Sequence, residues 1–318
     1  MQLETINYAL QKAAAVCNKY DNILVSVSGG SDSDVMLDLL LKTCPTEKCK
    51  FVFFDTGIEY QATKDHLDNI EKKYHIQIER VRAKVPVPLG CRKYGLPFIS
   101  KDISAKINSL QNNGFDFKND GRVGYEDLVA KYPKCKSALA WWCNKKPKKY
   151  AIASCKFLKE FMIANPPDFK ISERCCNGAK KNPSHDYEKE HLVDLKCLGL
   201  RKSEGGIRST KFTSCYEYDY KATTQQFRPI WHFTDEDKQI YCEMYGVEHS
   251  KLYTTYGFKR SGCGGCPFNS KFEDDLKIME AHEPLLYRAV NNIFGKSYEY
   301  TRAYRKFKHD MANKTLKE

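Results

Sequence analysis

With 318 residues, 42% of them apolar and 29% charged, the chain can bury an α/β core and is not a disordered polyelectrolyte. No run approaches the ~18 apolar residues of a membrane span, and residues 1–10 lack a signal-peptide core, so a cytoplasmic protein with no membrane partner is expected. The net charge of +12 suits a polyanionic partner, although the basic runs (Lys145 to Lys149, Lys180 and Lys181, Arg302 to Lys308) are scattered and equally suit a solvated surface.

In chain order, residues 4–18 are expected to be helical. Asn22 to Ser28 reads as a buried strand, followed by a Gly29–Gly30 turn and an apolar-periodic helix from Asp32 to Lys42. Phe51 to Phe54 forms a second apolar run ending at Asp55–Thr56–Gly57. A helix over 61–73 and a strand over 76–81 follow. This alternation predicts α/β architecture with a doubly wound parallel sheet, Rossmann-like, and a mostly helical C-terminal region. Residues 84–135, with Pro86, Pro88 and Pro97, read as irregular. A helix is expected over 147–164, a strand over 192–198, two strands around a polar turn in 213–230, and a helix starting at Thr234 with acidic residues in its first turn. The expected division is a nucleotide-binding domain of residues 1–83 and 190–260, an insertion or lid over 84–189, and a C-terminal region over 261–318.

Ser28–Gly29–Gly30–Ser31–Asp32–Ser33 joins strand to helix. Adjacent glycines let the backbone approach an anion, and amides of the first helical turn point at it. Hydroxyls of Ser28, Ser31 and Ser33 can add donors. No lysine follows the glycines, so this is not a Walker A loop. An ordinary Gly–Gly turn is the plain alternative. At a strand end, Asp55, Thr56 and Gly57 are placed to meet a ribose or base. Arg201 and Arg208 offer fork-shaped donors for phosphate or sulfate.

Fourteen cysteines in a reducing compartment point to metal or redox chemistry more than to disulfides. Cys17, Cys44, Cys49 and Cys242 have no partner spacing and are expected to be small buried hydrophobes. Cys175–Cys176 and Cys263–Gly264–Gly265–Cys266 supply four thiolates, as a 4Fe–4S cluster requires. The vicinal pair fits zinc less well. A zinc site (with His185 or His249), a redox dithiol, or buried thiols are the alternatives.

The SGGxDS loop resembles the PP-loop of the adenine nucleotide alpha hydrolase superfamily. Together with the Asp55–Thr56–Gly57 strand end, Gly199–Leu200–Arg201–Lys202–Ser203–Glu204 with Arg208, and Arg228 to Asp237, it resembles the phosphoadenylyl-sulfate and adenylyl-sulfate reductase family. The cysteine quartet is similar to that of the cluster-containing branch. Gly205 stands where the family has serine. The resemblance implies binding of ATP or adenylyl sulfate, Mg²⁺ bridging the phosphates with Asp32 helping to place it, and catalytic roles for Asp32 and Arg201. Sulfonucleotide reductases of the family carry a nucleophilic tail cysteine, whereas here no cysteine follows Cys266. A substitute nucleophile would have to come from Cys91, Cys143 or Cys155. The set is closer to the cluster-bearing sulfurtransferases of the superfamily, such as DNA phosphorothioation enzymes and tRNA thiolases. DNA or tRNA is then the acceptor partner, and a cysteine desulfurase or another sulfur donor supplies the sulfur. A sulfonucleotide reductase, and a non-catalytic nucleotide-binding partner docking through Tyr298, Tyr300 and Tyr304, are the alternatives.

Overall fold

The computed structural model describes residues 2–205, 212–260 and 262–315. The chain divides into two compact units, Met1–Lys84 with Ala179–Gly264, and Val85–Gly178 with Gly265–Glu318. Among the described residues no helix is long and apolar enough to cross a membrane.

The first unit is an α/β layer structure. Helix α1 (Gln2–Cys17) precedes β1 (Ile23–Ser26), α2 (Ser31–Thr43), β2 (Cys49–Asp55), α3 (Gln61–Tyr74) and β3 (Ile78–Arg82). Its second stretch adds β4 (Leu195–Cys197), β5 (Tyr216–Glu217) and β6 (Gln225–Phe227). The six strands lie in the order β3-β2-β1-β4-β6-β5. All pair in parallel except β5 with β6. Ile23, Leu24 and Val25 of β1 are fully buried, as expected of a central parallel strand covered on both faces. Val35, Leu37 and Leu39 of α2, Phe51 and Phe53 of β2, and Trp231, Phe233 and Tyr241 share that core. The doubly wound reading of the sequence therefore describes this unit.

The Cys17 and Cys44 expectation is overturned, because the two form a disulfide with Cα atoms 5.7 Å apart. Helix α1 packs on α2, which brings the last residue of one beside the residue that ends the other. Spacing in sequence carries no trace of that approach.

The second unit is helical, and here the irregular reading of 84–135 fails. It contains α4 (Val87–Tyr94), α5 (Lys101–Asn112) and α6 (Tyr125–Lys131). Pro86 and Pro88 stand at the N-cap and in the first turn of α4, where a missing N–H costs nothing. Ser100 caps α5 by accepting from the Ile103 amide. The single helix expected over 147–164 is broken instead. Only Leu158–Ala164 is α-helical, entered through Phe157 at φ 59°. The unit continues with α7 (Lys136–Trp142) and α8 (Leu158–Ala164) and, after the first unit's α9 (Asn182–Glu190), α10 (Asp235–Tyr245) and α11 (Lys251–Thr254), with α12 (Phe272–His282) and α13 (Pro284–Thr315).

Phe98, Ile107, Leu139, Trp141, Trp142 and Phe161 form the second core. Trp142 is fully buried and its indole N–H donates to the Gly121 carbonyl at 3.1 Å. Trp142→Ala is expected to cost about 3–5 kcal/mol, from lost burial plus a cavity, read by urea unfolding of the full chain. Tyr298 and Tyr304 of α13 are buried, and the hydroxyl of Tyr304 donates to the Lys156 carbonyl at 2.8 Å. They are core residues and the partly buried Tyr300 packs against the same core, so this helix turns its tyrosines to its buried face.

Candidate functional site

Strand β1 delivers the chain into Ser28–Gly29–Gly30, and α2 starts at once with Ser31. Gly29 has φ +65°, and a Cβ there would stand 2.8 Å from Thr63 Cγ2, so both conformation and space call for glycine. The loop is braced from within. The Ser28 amide donates to Ser33 Oγ at 2.9 Å, and the Gly30 amide donates to Ser28 Oγ at 3.3 Å. Ser33 is buried and its hydroxyl also donates to the Ser26 carbonyl. Ser33 thus braces the loop from within.

Two cations converge on the first turn of α2. Arg201 Nε donates to Asp32 Oδ1 at 2.8 Å, and Lys238 Nζ reaches the same oxygen at 3.0 Å and Ser31 Oγ at 3.1 Å. Arg201 is itself buried, and its Nη1 donates to Ser203 Oγ at 3.0 Å and pairs with Asp235 at 2.9 Å. Gly199 permits this approach, since a Cβ there would lie 3.0 Å from the backbone of Asp32 and Ser33. Asp32 thus anchors two cations beside the loop.

Burial pushes the Asp32 carboxyl up, but Lys238 and then Arg201 outweigh it and hold the group below the usual carboxylate range. The sign follows from linkage. The trio's stabilisation is complete above the unfolded value of about 3.9 and is lost as pH falls through the lower folded value. The stability difference between wild type and Asp32→Asn should therefore shrink below about pH 4, as thermal melts across pH would show.

Lys238 was not among the sequence candidates. Thr234 and Asp237 form a capping box that starts α10, and this segment suggested only a helix start. The cap also fixes where Lys238 points.

At the end of β2, Asp55 Oδ1 accepts from the Gly57 amide at 2.7 Å, and Thr56 Oγ1 donates to Glu59 at 2.6 Å. Gly57 has φ +85°. These three residues build a tight turn at the C-terminal edge of the sheet, beside the strand that feeds the loop. Arg208 lies outside the described residues.

The four cysteines are divided between the two units in sequence. Cys175, Cys176 and Cys266 belong to the second, while Cys263 lies near the end of the first. In the second unit the buried Cys175 thiol is hydrogen-bonded with Cys176 and with Cys91, and it lies in the field of Cys266. Cys176 pulls the Cys175 thiol down, but Cys91, burial and Cys266 outweigh this and push it far above the ordinary range. Gly90 lets α4 approach, because a Cβ there would be 3.2 Å from Cys175 Cα. Gly265, at φ +58°, accepts at its carbonyl from the Tyr298 hydroxyl, which holds Cys266 on α13. Soft donors gathered around a buried thiol are the chemistry an iron–sulfur cluster uses, so these residue types fit such a group. Among the described residues no three His, Cys, Asp or Glu side chains are grouped to hold a single metal ion. Cys91 had been weighed in sequence only as a stand-in nucleophile.

A parallel sheet whose first strand feeds a glycine-rich loop and helix, with cations gathered on the first helical turn, defines a nucleotide-binding α/β protein of PP-loop type. Residues 22–97 and 144–269 match the phosphoadenosine phosphosulfate reductase domain, and the chain belongs to that family. It is 25% identical over 265 residues to an uncharacterized protein of Methanocaldococcus jannaschii, covering 82% of this chain and 40% of that one. The chain thus spans about two-fifths of the length of this curated relative. Among solved structures, it is similar to phosphoadenylyl-sulfate reductase from Candida auris in its phosphate complex, with 15% identity, 80% of this chain and 87% of that chain covered, and a TM-score of 0.46. It is also similar to the U34-tRNA thiolase NcsA from Methanococcus maripaludis with its [4Fe-4S] cluster, with 14% identity, 96% and 80% covered, and a TM-score of 0.39.

Proposed function

We propose that the chain is an ATP-dependent sulfurtransferase acting on nucleic acid with a 4Fe–4S cluster. The supporting observation is one polypeptide that combines a glycine-rich loop attended by two cations with thiols gathered on the buried Cys175. Gly29 and the amides of α2's first turn would cradle phosphate, and Arg201 and Lys238 would turn from Asp32 to the charge that develops as pyrophosphate leaves. Ser31 and Asp32 hold Lys238 in place until then. Mg²⁺ would share the phosphates. Asp55, Thr56 and Gly57 would border the nucleoside, and Arg208 would add a further cation.

Cys175, Cys176, Cys263 and Cys266 would hold the cluster, which when bound supplies a site for sulfur. The residues from 267 to 318 supply no thiol, so they offer no nucleophile for a sulfite-releasing reaction. The net charge of +12 suits a nucleic-acid acceptor. The test is direct. Anaerobically reconstituted protein is given ATP with and without nucleic acid, and in parallel adenylyl sulfate with a thiol reductant. Pyrophosphate release from ATP that depends on nucleic acid upholds the reading, and sulfite from adenylyl sulfate overturns it in favour of a reductase.

A further inference from the structure

The expectation that Cys242 is merely a small buried hydrophobe does not survive. Its half-buried thiol lies on α10 one turn beyond Lys238, the residue that reaches the phosphate loop at Ser31. Cys242 Sγ is 3.4 Å from His249 Nε2. The other ring nitrogen, Nδ1, is 2.9 Å from Asp34 Oδ2. Asp34 is 3% exposed, and its second oxygen stands 3.1 Å from Nε2 of the buried His66. An Asp34 carboxylate that accepts from Nδ1–H orients the ring of His249 with Nε2 toward the thiol.

Thiol, imidazole and carboxylate in this order are a nucleophile, its base and the group that orients the base. Cys49, a partly buried thiol of the same unit, meets no imidazole and donates instead to the Pro45 carbonyl at 3.5 Å. The charged groups around Cys242 are Lys238 on its own helix and Asp34, Asp38 and Asp32 on α2. Burial first, then the three carboxylates against Lys238, push the thiol up to about 11. Little thiolate exists at neutral pH without a base to take the proton.

We propose that Cys242 is a nucleophilic thiol that accepts a sulfane sulfur from a persulfide, with His249 as its general base and Asp34 as the positioning residue. The choice of substrate class rests on the sulfur-transfer reading above. The Cys242 sulfur attacks the outer sulfur of the donor R–S–SH. The donor's S–S bond breaks as a new one forms, giving Cys242–S–SH and R–SH. The Cys242 proton passes to His249 Nε2 and then to the departing donor sulfur, so charge and electrons balance with no external oxidant or reductant. Sulfur is thereby loaded one helical turn from the residue that touches the phosphate loop.

The test uses the full chain under anaerobic conditions, with cysteine persulfide and iodoacetamide as probes and peptide mass mapping as the readout. Cysteine persulfide should add one sulfur atom to the Cys242 peptide, and none in Cys242→Ser. Iodoacetamide should label Cys242 faster than Cys49 at neutral pH. His249→Gln should slow it about a hundredfold, and Asp34→Asn should lower its limiting rate and move its pH profile downward, because a carboxylate facing the thiol is gone. Equal labelling of Cys242 and Cys49, or an unchanged rate in folded His249→Gln, overturns the proposal. If His249→Gln does not fold, the wild-type pH–rate profile decides. A break well below the thiol's own value of about 11 supports the base, and a single break at that value overturns it. Nucleic-acid thiolation at the wild-type level in Cys242→Ser overturns this proposal alone. A loaded Cys242 with no sulfur reaching nucleic acid upholds it and sinks the transfer reading.

Discussion

Cys175→Ser protein, reconstituted anaerobically with iron and sulfide, is expected to lose most of its visible absorption and to hold at least about tenfold less iron than wild type. A change to a mere neighbour of a metal ligand already costs 10–100-fold in affinity, and loss of a ligand costs more. Cys175 is the most enclosed member of the quartet, at 3% exposed, against intermediate exposure for Cys176, Cys263 and Cys266. Water is therefore poorly placed to fill in for its sulfur. Cys91→Ser is the informative partner. Its thiol contacts Cys175 but lies outside the quartet, so the Cys91→Ser protein should lose less iron than Cys175→Ser. Wild-type protein that is colourless and carries zinc, or Cys175→Ser with unchanged iron, would remove the cluster from the account.

The loop was legible because everything that builds it is local. The apolar run of β1, the two glycines and the first turn of α2 fall within a dozen residues, and the amide-to-hydroxyl bonds that brace it join neighbours. The start of α10 was legible for the same reason, since Thr234 and Asp237 cap it at short range. What was not legible lies far apart in sequence. Lys238 meets Ser31 across a separation of 207 residues, and His249 meets Asp34 across 215. No spacing rule reaches that far, because both contacts depend on α10 and the chain after it returning to α2. The Cys17–Cys44 bond is of this kind, as it depends on how α1 packs on α2. The helices of 84–135 were missed for a different reason. Prolines were weighed as breakers, although Pro86 and Pro88 stand where a helix tolerates them.

Gly199→Val is expected to weaken nucleotide binding at least about thirtyfold, or roughly 2 kcal/mol, while leaving the sheet intact. Gly199 is two residues past β4 and outside every regular element, so no strand geometry constrains it. The constraint comes from space. Its missing Cβ would lie 3.0 Å from Asp32 O, Ser33 Cα and Ser33 N, which are backbone atoms of a helical turn and cannot swing aside as a side-chain tip can. A branched side chain must therefore push the Gly199–Arg201 segment away from α2. Arg201 would leave Asp32, and the first-turn amides would lose their aim at a bound phosphate. Oriented donors lose their value within a fraction of an ångström of misplacement. Gly295→Ala is the control. It sits within α13 with nothing within 4 Å of the added carbon, and it should stabilise the chain by up to about 1 kcal/mol without touching nucleotide affinity. Calorimetric titration of ATP into the three proteins separates the cases. Unchanged affinity in folded Gly199→Val would mean that the 199–201 segment does not serve the loop.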